Sequence, residues 1–299
     1  MAKGKRVHQM TVAEFEAAFP DEDACRAYLA RHRWPNVVYC PRCGAEGAYP
    51  LDSRPHHWEC GACRQGGAYR FSVLVGTVFE NTNKPLKDWF KVIHLMLTSK
   101  KGISALQIMR YMGFGSYKTA WYMCHRIRAG LAQEEFRKLM GIVEVDETYV
   151  GGKDKNKHSD KRGGRRGPAG KSAIVGAVQR KGNVVARVIE HADIPTLHRF
   201  ISETVSTKVS LLATDAGRPY QSVPKQFNHQ SVDHSAGQYV VGAVHTNTIE
   251  GFWSILKRGI VGSFHKVSHK YLPLYVAEFQ FRYNNRENAD IFGEAIKGC

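Results

Sequence analysis

Cys40-Pro41-Arg42-Cys43 and Cys60-Gly61-Ala62-Cys63 restrict the fold of this chain more than any other feature. They are two Cys-x-x-Cys pairs with 16 residues between them. Each pair chelates one ion from a tight turn, and Gly44 and Gly61 help to form those turns. Together they offer four thiolates, the ligand set of a closed, tetrahedral, structural zinc site. A catalytic zinc is excluded by the filled coordination sphere, and iron–sulfur clusters use other spacings. Between the pairs, Ala48-Tyr49-Pro50-Leu51 and His57-Trp58-Glu59 supply the strands of a zinc ribbon. His56 and His57 are non-ligands on this reading. Cys25, Cys124 and Cys299 are ordinary thiols.

The rest of the chain is strongly basic. Lys and Arg number 43 against 27 Asp and Glu, a net charge of +16 over 299 residues. That balance points to a polyanion, most simply DNA, although composition alone also fits a membrane surface or a ribosome. No run approaches the roughly 18 apolar residues of a membrane span. Met1-Ala2-Lys3-Gly4-Lys5-Arg6 lacks the apolar stretch of a signal peptide, so a cytoplasmic, nucleoid-associated location without membrane contact is expected.

Four regions follow one another. Residues 1–38 form an N-terminal helical segment, in which Thr11 and Glu14 make a capping box ahead of Phe15 and Phe19. The ribbon occupies 39–80. Residues 86–137 are helical, and strands then alternate with helices over 141–290 as in an α/β layer domain. Residues 151–171, Gly- and Lys/Arg-rich with almost nothing to bury, form a mobile basic insertion between two strands. It is either a solvated hairpin loop or a DNA-backbone contact through Lys161, Arg162, Arg165 and Arg166.

Within 86–137, Leu86–Leu97 has apolar positions at helical spacing. Ser104–Met112 gives a second helix, with Leu106, Ile108, Met109 and Met112 available for a core. Gly113-Phe114-Gly115 turns the chain, and Ser116 caps a third helix from Tyr117 to about Leu131. A short helix, a glycine turn and a basic helix match a helix-turn-helix, whose last helix enters the major groove. Tyr117 and Lys118 would lead, with Arg126 and Arg128 behind them. The alternative is a three-helix packing element.

Three acids carry the chemistry. Asp146 lies in Ile142–Val150, which alternates like a strand, with Glu144 on its face and Glu147 on the other. Asp215 ends the apolar run Val209–Thr214, so its carboxylate emerges at a strand end. Glu250 lies near the start of a helix, where Asn247, Trp253, Leu256 and Lys257 fall near one stripe. Buried together, such carboxylates are costly unless a cation neutralises them. Mg2+ or Mn2+, most simply as a pair of ions, takes oxygen ligands of this kind and supports phosphodiester cleavage and joining. Lys257 and Arg258 are placed to bind the scissile phosphate. Arg282, Tyr283, Asn284, Asn285 and Arg286, ending a last basic helix, read as a DNA-facing terminus.

The segments VEVDETYVGGK, LLATDAGRPY, HTNTIEGFWSILKRGIVGSFHKVS and EFQFRYNNR resemble the catalytic blocks of bacterial insertion-sequence transposases. The similarity is to the family that joins an N-terminal zinc ribbon to an ISXO2-like, integrase-type domain, and it covers nearly the whole chain. It implies an RNase H-like α/β catalytic domain over 141–290, with Asp146 and Asp215 as its two aspartates. The 34 residues between Asp215 and Glu250 are similar to the spacing in related integrases. Members of the family often carry Asn at the third position, followed by a Lys. Both Asn247 and Glu250 are present here, and Glu250 is preferred because a carboxylate binds Mg2+ more strongly than an amide. The resemblance also implies inverted-repeat ends and target DNA as partners, and a dimer or higher assembly on that DNA.

Overall fold

The computed structural model describes residues 10–63, 67–132, 137–152, 170–232 and 245–299. Lys161, Arg162, Arg165 and Arg166 lie outside the described residues. The chain divides into two compact units. One runs through Ala132 and takes in Glu287–Cys299; the other ends at Arg286. Among the described residues no helix is long and apolar enough to cross a membrane.

In the first unit, α1 (Val12–Ala18) starts with the capping box read from the sequence: Glu14 N–H donates to Thr11 Oγ1 at 3.2 Å, and Thr11 N–H donates to Glu14 Oε2 at 2.7 Å. Asp21 caps α2 (Glu22–Arg33) through the Ala24 N–H. These helices bury Phe15 and Phe19, whose rings stand 5.0 Å apart. The ribbon is an antiparallel sheet of β1 (Tyr49–Pro50), β2 (His57–Cys60) and β3 (Tyr69–Ser72). Its third strand follows the second cysteine pair. Trp34, at the end of α2, meets Trp58 of β2 edge-on at 4.9 Å.

Three helices then appear where periodicity places them: α3 (Leu86–Thr98), α4 (Ala105–Met112) and α5 (Tyr117–Gly130). Ser104 and Ser116 cap the last two, and Gly113, at φ 64°, ends α4 in the left-handed conformation that glycine adopts without strain. The expected core position of Leu106 is corrected: it is 41% exposed, whereas Ile108 is fully buried. Two residues apart on a helix lie on nearly opposite sides, so one short helix cannot bury both against a single neighbour. The final helix, α9 (Ile291–Gly298), brings Phe292 into the aromatic cluster, 5.5 Å from Phe19 and 5.4 Å from Phe90.

The second unit is a five-stranded mixed sheet. β4 (Ile142–Val150), β5 (Ser172–Gln179) and β6 (Val184–Ile189) form an antiparallel meander. Helix α6 (Ile194–Thr204) then leads to β7 (Leu211–Asp215), which lies parallel to β4, and β8 (His229–Val232) adds parallel to β7. The order is β6-β5-β4-β7-β8. α6 covers one face over Val143, Val145, Val175 and Ala177. Helices α7 (Asn247–Gly259) and α8 (Leu272–Asn284) cover the other over Ile174, Val178 and Val184. With both faces covered, β5 reads as a nearly continuous apolar run, whereas β4 carries the acids Glu144, Asp146 and Glu147.

The end of α8, expected as a DNA-facing terminus, braces the sheet edge. Asn284 accepts from Val184 N–H at 2.7 Å and donates to Val184 C=O at 3.0 Å, while Gln280 Oε1 accepts from Ala186 N–H at 2.8 Å. β6 is the sheet edge, and these amides satisfy backbone groups that an edge strand otherwise leaves open. Arg282 lies against the fully buried Glu278 at 3.6 Å, and Arg286 folds over the Tyr283 ring.

Candidate active site and metal centre

The four ribbon cysteines converge. Their sulfurs all lie within 4.8 Å of one another, with Cys40 Sγ 3.8 Å from Cys63 Sγ and Cys43 Sγ 3.7 Å from Cys60 Sγ. A tetrahedral zinc with Zn–S bonds of about 2.3 Å requires sulfur separations of about 3.8 Å. Disulfides require about 2.05 Å, so these are thiols arranged for one ion. Gly44, at φ 72°, makes the turn after the first pair. Burial opposes ionisation of Cys40, but the N–H groups of Cys43 and Arg42 prevail and bring it down to about 7. Hydrogen bonding to Cys43, reinforced by burial, pushes Cys63 up to about 12. The histidines stay outside the cluster: His57 Nδ1 lies 2.9 Å from Pro55 O, and His56 lies 3.8 Å from Asp23.

In the second unit, β4 and β7 pair in parallel with Glu144 beside Ala213. Asp146 and Asp215 each lie two residues beyond that last pair, on adjacent strands, and the charge of Asp215 acts on Asp146. Gly217 N–H donates to Asp215 Oδ1 at 2.9 Å. A Cβ at Gly217 would come within 2.8 Å of that oxygen, so a side chain there would displace the carboxylate from this position.

Asp146 faces α7, and Trp253 Nε1–H donates to its Oδ2 at 3.1 Å. Gly176 pairs with Asp146 across β5 and makes space for the indole, since a Cβ there would stand 2.6 Å from the Trp253 ring. Trp253 is a core residue, 3% exposed, and it also fixes the aspartate. Burial pushes Asp146 up to about 7, reinforced by the charges of Glu147 and Asp215. Glu147 points to the opposite face, where Tyr220 O–H donates to its Oε2 at 2.6 Å. Burial also raises Glu147, against the pull of that hydrogen bond.

Sequence reasoning identified Glu144 only as a neighbour of Asp146. It is 0% exposed, and its carboxylate accepts from Thr248 N–H at 2.7 Å, Ile249 N–H at 3.0 Å, Thr248 Oγ1–H at 2.8 Å and Arg180 Nε–H at 2.6 Å. His245 Nδ1 lies 3.3 Å from it. These contacts satisfy the start of α7, where Thr246 makes no side-chain cap. No local spacing announces a cap supplied by a residue 104 positions earlier.

The stripe expected on α7 divides. Trp253 and Leu256 are buried; Asn247, Glu250 and Lys257 are exposed. Glu250 accepts from Thr246 Oγ1 at 2.8 Å, and Arg258 turns back onto Ser254. Among the described residues the cysteines are the only set of three or more ligand groups within 4.8 Å, so Asp146, Asp215 and Glu250 are not gathered that closely. On α5, Tyr117 and Lys118 are exposed as expected. Arg128 is corrected as a surface contact: it is 2% exposed, because it lies on the stripe with Cys124 and Ile127 that faces the core. Arg126 is half-buried and donates to Glu80 C=O at 3.0 Å.

Residues 138–284 match the ISXO2-like transposase domain, and residues 20–66 match the transposase zinc-ribbon domain. An uncharacterised protein in transposable element ISH50 of Halobacterium salinarum (strain ATCC 700922 / JCM 11081 / NRC-1) is 30% identical over 281 residues, covering 88% of this chain and 91% of that protein. A chain of the simian T-cell lymphotropic virus intasome, solved in complex with PP2A regulatory subunit B56 gamma, aligns over 60% of this chain and 64% of that chain at 13% identity. Its TM-score of 0.29 is too low to bear on the fold. The two domain matches and the ISH50 relative place the protein in one family: the chain belongs to the insertion-sequence transposases that join a zinc ribbon to an ISXO2-like transposase domain.

Proposed function

We propose that this transposase cleaves DNA at inverted-repeat ends and transfers the strands, using a divalent-cation site built on Asp146 and Asp215. The observation that supports this most is the pair itself. The two carboxylates lie on adjacent parallel strands, and burial, Glu147 and the charge of Asp215 hold Asp146 up to about 7. Oxygen donors in that condition fit Mg2+ or Mn2+, which relieves their mutual repulsion. Once bound, the ions supply Lewis-acid stabilisation of the attacking and leaving oxygens. Trp253 engages one oxygen of Asp146 and Gly217 N–H one oxygen of Asp215, so both carboxylates are oriented before any ion arrives. Glu250 is the third ligand in this reading, with Asn247, one turn earlier on the exposed side of α7, as the competing donor.

The strand order supports an RNase H-like, retroviral-integrase-type architecture: a three-stranded meander, a helical crossover, then a parallel strand bearing the second aspartate. The exposed Tyr117 and Lys118 at the start of α5 suit a helix-turn-helix entering the major groove. Lys257 and Arg258, exposed on α7, suit the phosphate near the scissile bond. Joining requires two ends held together, so two or more copies assemble on DNA.

The test is cleavage of end-containing DNA in Mg2+ or Mn2+. Asp146→Asn and Asp215→Asn are expected to abolish nicking, Glu250→Gln to abolish or severely reduce it, and Asn247→Ala to retain it. Wild-type nicking by both Asp variants rejects the site. Retention in Glu250→Gln with loss in Asn247→Ala moves the third ligand to Asn247. Joining of the cut end to a target separates a transposase from a nuclease with the same chemistry.

A further inference from the structure

We infer that Glu144 is a positioning residue of the active site: it locks the start of α7 to β4, so that Asp146 and the donors on α7 share one rigid frame. This rests on the cation-site reading above.

Glu144 and Asp146 share a face of β4, two residues apart, and Ile249 and Trp253 are four apart on α7. Two strand residues advance about 6.6 Å and four helix residues about 6 Å, so the spacings match. Glu144 Oε2 receives Ile249 N–H at one rung, and Asp146 Oδ2 receives Trp253 Nε1–H at the next. The first rung is the stronger anchor. A fully buried carboxylate takes two backbone N–H groups at a helix start, a favourable place for negative charge, plus the Thr248 hydroxyl.

Arg180 completes the clamp. Its Nε–H holds Glu144 Oε1, and its Nη2–H donates to His245 C=O at 3.1 Å, gathering the residues that lead into α7. Asn247 and Glu250 flank the clamped Thr248 and Ile249, so whichever serves as third donor inherits its place from Glu144. An acid devoted to the helix start is also unavailable as a metal ligand, which separates the work of two acids that share one strand face.

Glu144→Gln tests this in the full chain, compared with wild type and Asp146→Asn. The expected result is a 10–100-fold lower cleavage rate at saturating DNA, the range seen when groups supporting metal ligands are lost. Half-saturation for Mg2+ rises, and affinity for end DNA stays unchanged. A residue that only stabilises the fold lowers the melting temperature without moving the Mg2+ response of the folded fraction. Wild-type rate and Mg2+ response in Glu144→Gln, with Asp146→Asn inactive, overturn the inference and leave the cation site standing. If Asp146→Asn is fully active, the cation site itself fails. Should Glu144→Gln not fold, Thr248→Val decides, since it removes one hydrogen bond from the same clamp. A several-fold fall in rate with a raised Mg2+ requirement supports the inference; wild-type values for both overturn it.

Discussion

Asp146 sits in a setting that resists its own charge. Burial, Glu147 and Asp215 all raise it, to about 7, well above the 3.9 or so of a free aspartate. Between about pH 4 and 7 the folded chain therefore keeps a proton that the unfolded chain releases. Its contribution to stability is full below about pH 4 and is lost as pH rises to about 7. Asp146→Asn cannot lose that proton. In magnesium-free buffer the variant is expected to match wild type near pH 4 and to be more stable by pH 7.5, by up to about 4 kcal/mol. Added Mg2+ should then narrow the difference by stabilising wild type. Denaturant unfolding across this range measures it, and a difference that stays flat with pH defeats the account. The aspartates were legible in the sequence because strand alternation and an apolar run ending in Asp are local signals. Trp253 and Gly176 were not, since an indole resting over a glycine of another strand leaves no mark on either segment.

Helices α7 and α8 meet the sheet by a common device. On each, two residues one turn apart address two strand residues on one face: Ile249 and Trp253 against Glu144 and Asp146, Gln280 and Asn284 against Ala186 and Val184. The helices themselves follow from periodicity. The faces they use do not, because Gln280 and Asn284 look like ordinary surface amides in a basic segment, and Arg282 to Arg286 therefore read as a DNA contact. Asn284→Ala should cost about 1–3 kcal/mol, the range for leaving buried polar partners unmatched. Amide exchange at Val184 should quicken, since that N–H loses its acceptor. DNA affinity should hold, because Asn284 faces β6. A large loss of DNA binding with unchanged stability would return this helix end to the role that its sequence suggested.

At the scale of the whole chain, sequence order and spatial grouping disagree at the C-terminus. The match to the transposase domain ends at residue 284, and Glu287–Cys299 belongs to the unit built from the N-terminal residues. No composition or spacing after Asn288 indicated this, because a short apolar helix does not say which core it enters. Phe292 carries the assignment. It is 2% exposed and lies 6.2 Å from Phe15, 5.5 Å from Phe19, 5.8 Å from Tyr28 and 5.4 Å from Phe90. Gly130 and Gly298 allow the ends of α5 and α9 to touch, since a Cβ at Gly130 would stand 2.8 Å from Gly298 C=O. Phe292→Ala empties the centre of that aromatic cluster at a cost of about 3–5 kcal/mol. The loss should appear as faster amide exchange in α1, α2 and α3, while β4, β5 and β7, whose core lies elsewhere, keep their protection. Equal loosening of both units, or of the transposase domain alone, contradicts the assignment. Selective loosening of the N-terminal unit means that truncating this protein at the end of its transposase domain removes part of the core on which the N-terminal unit is built.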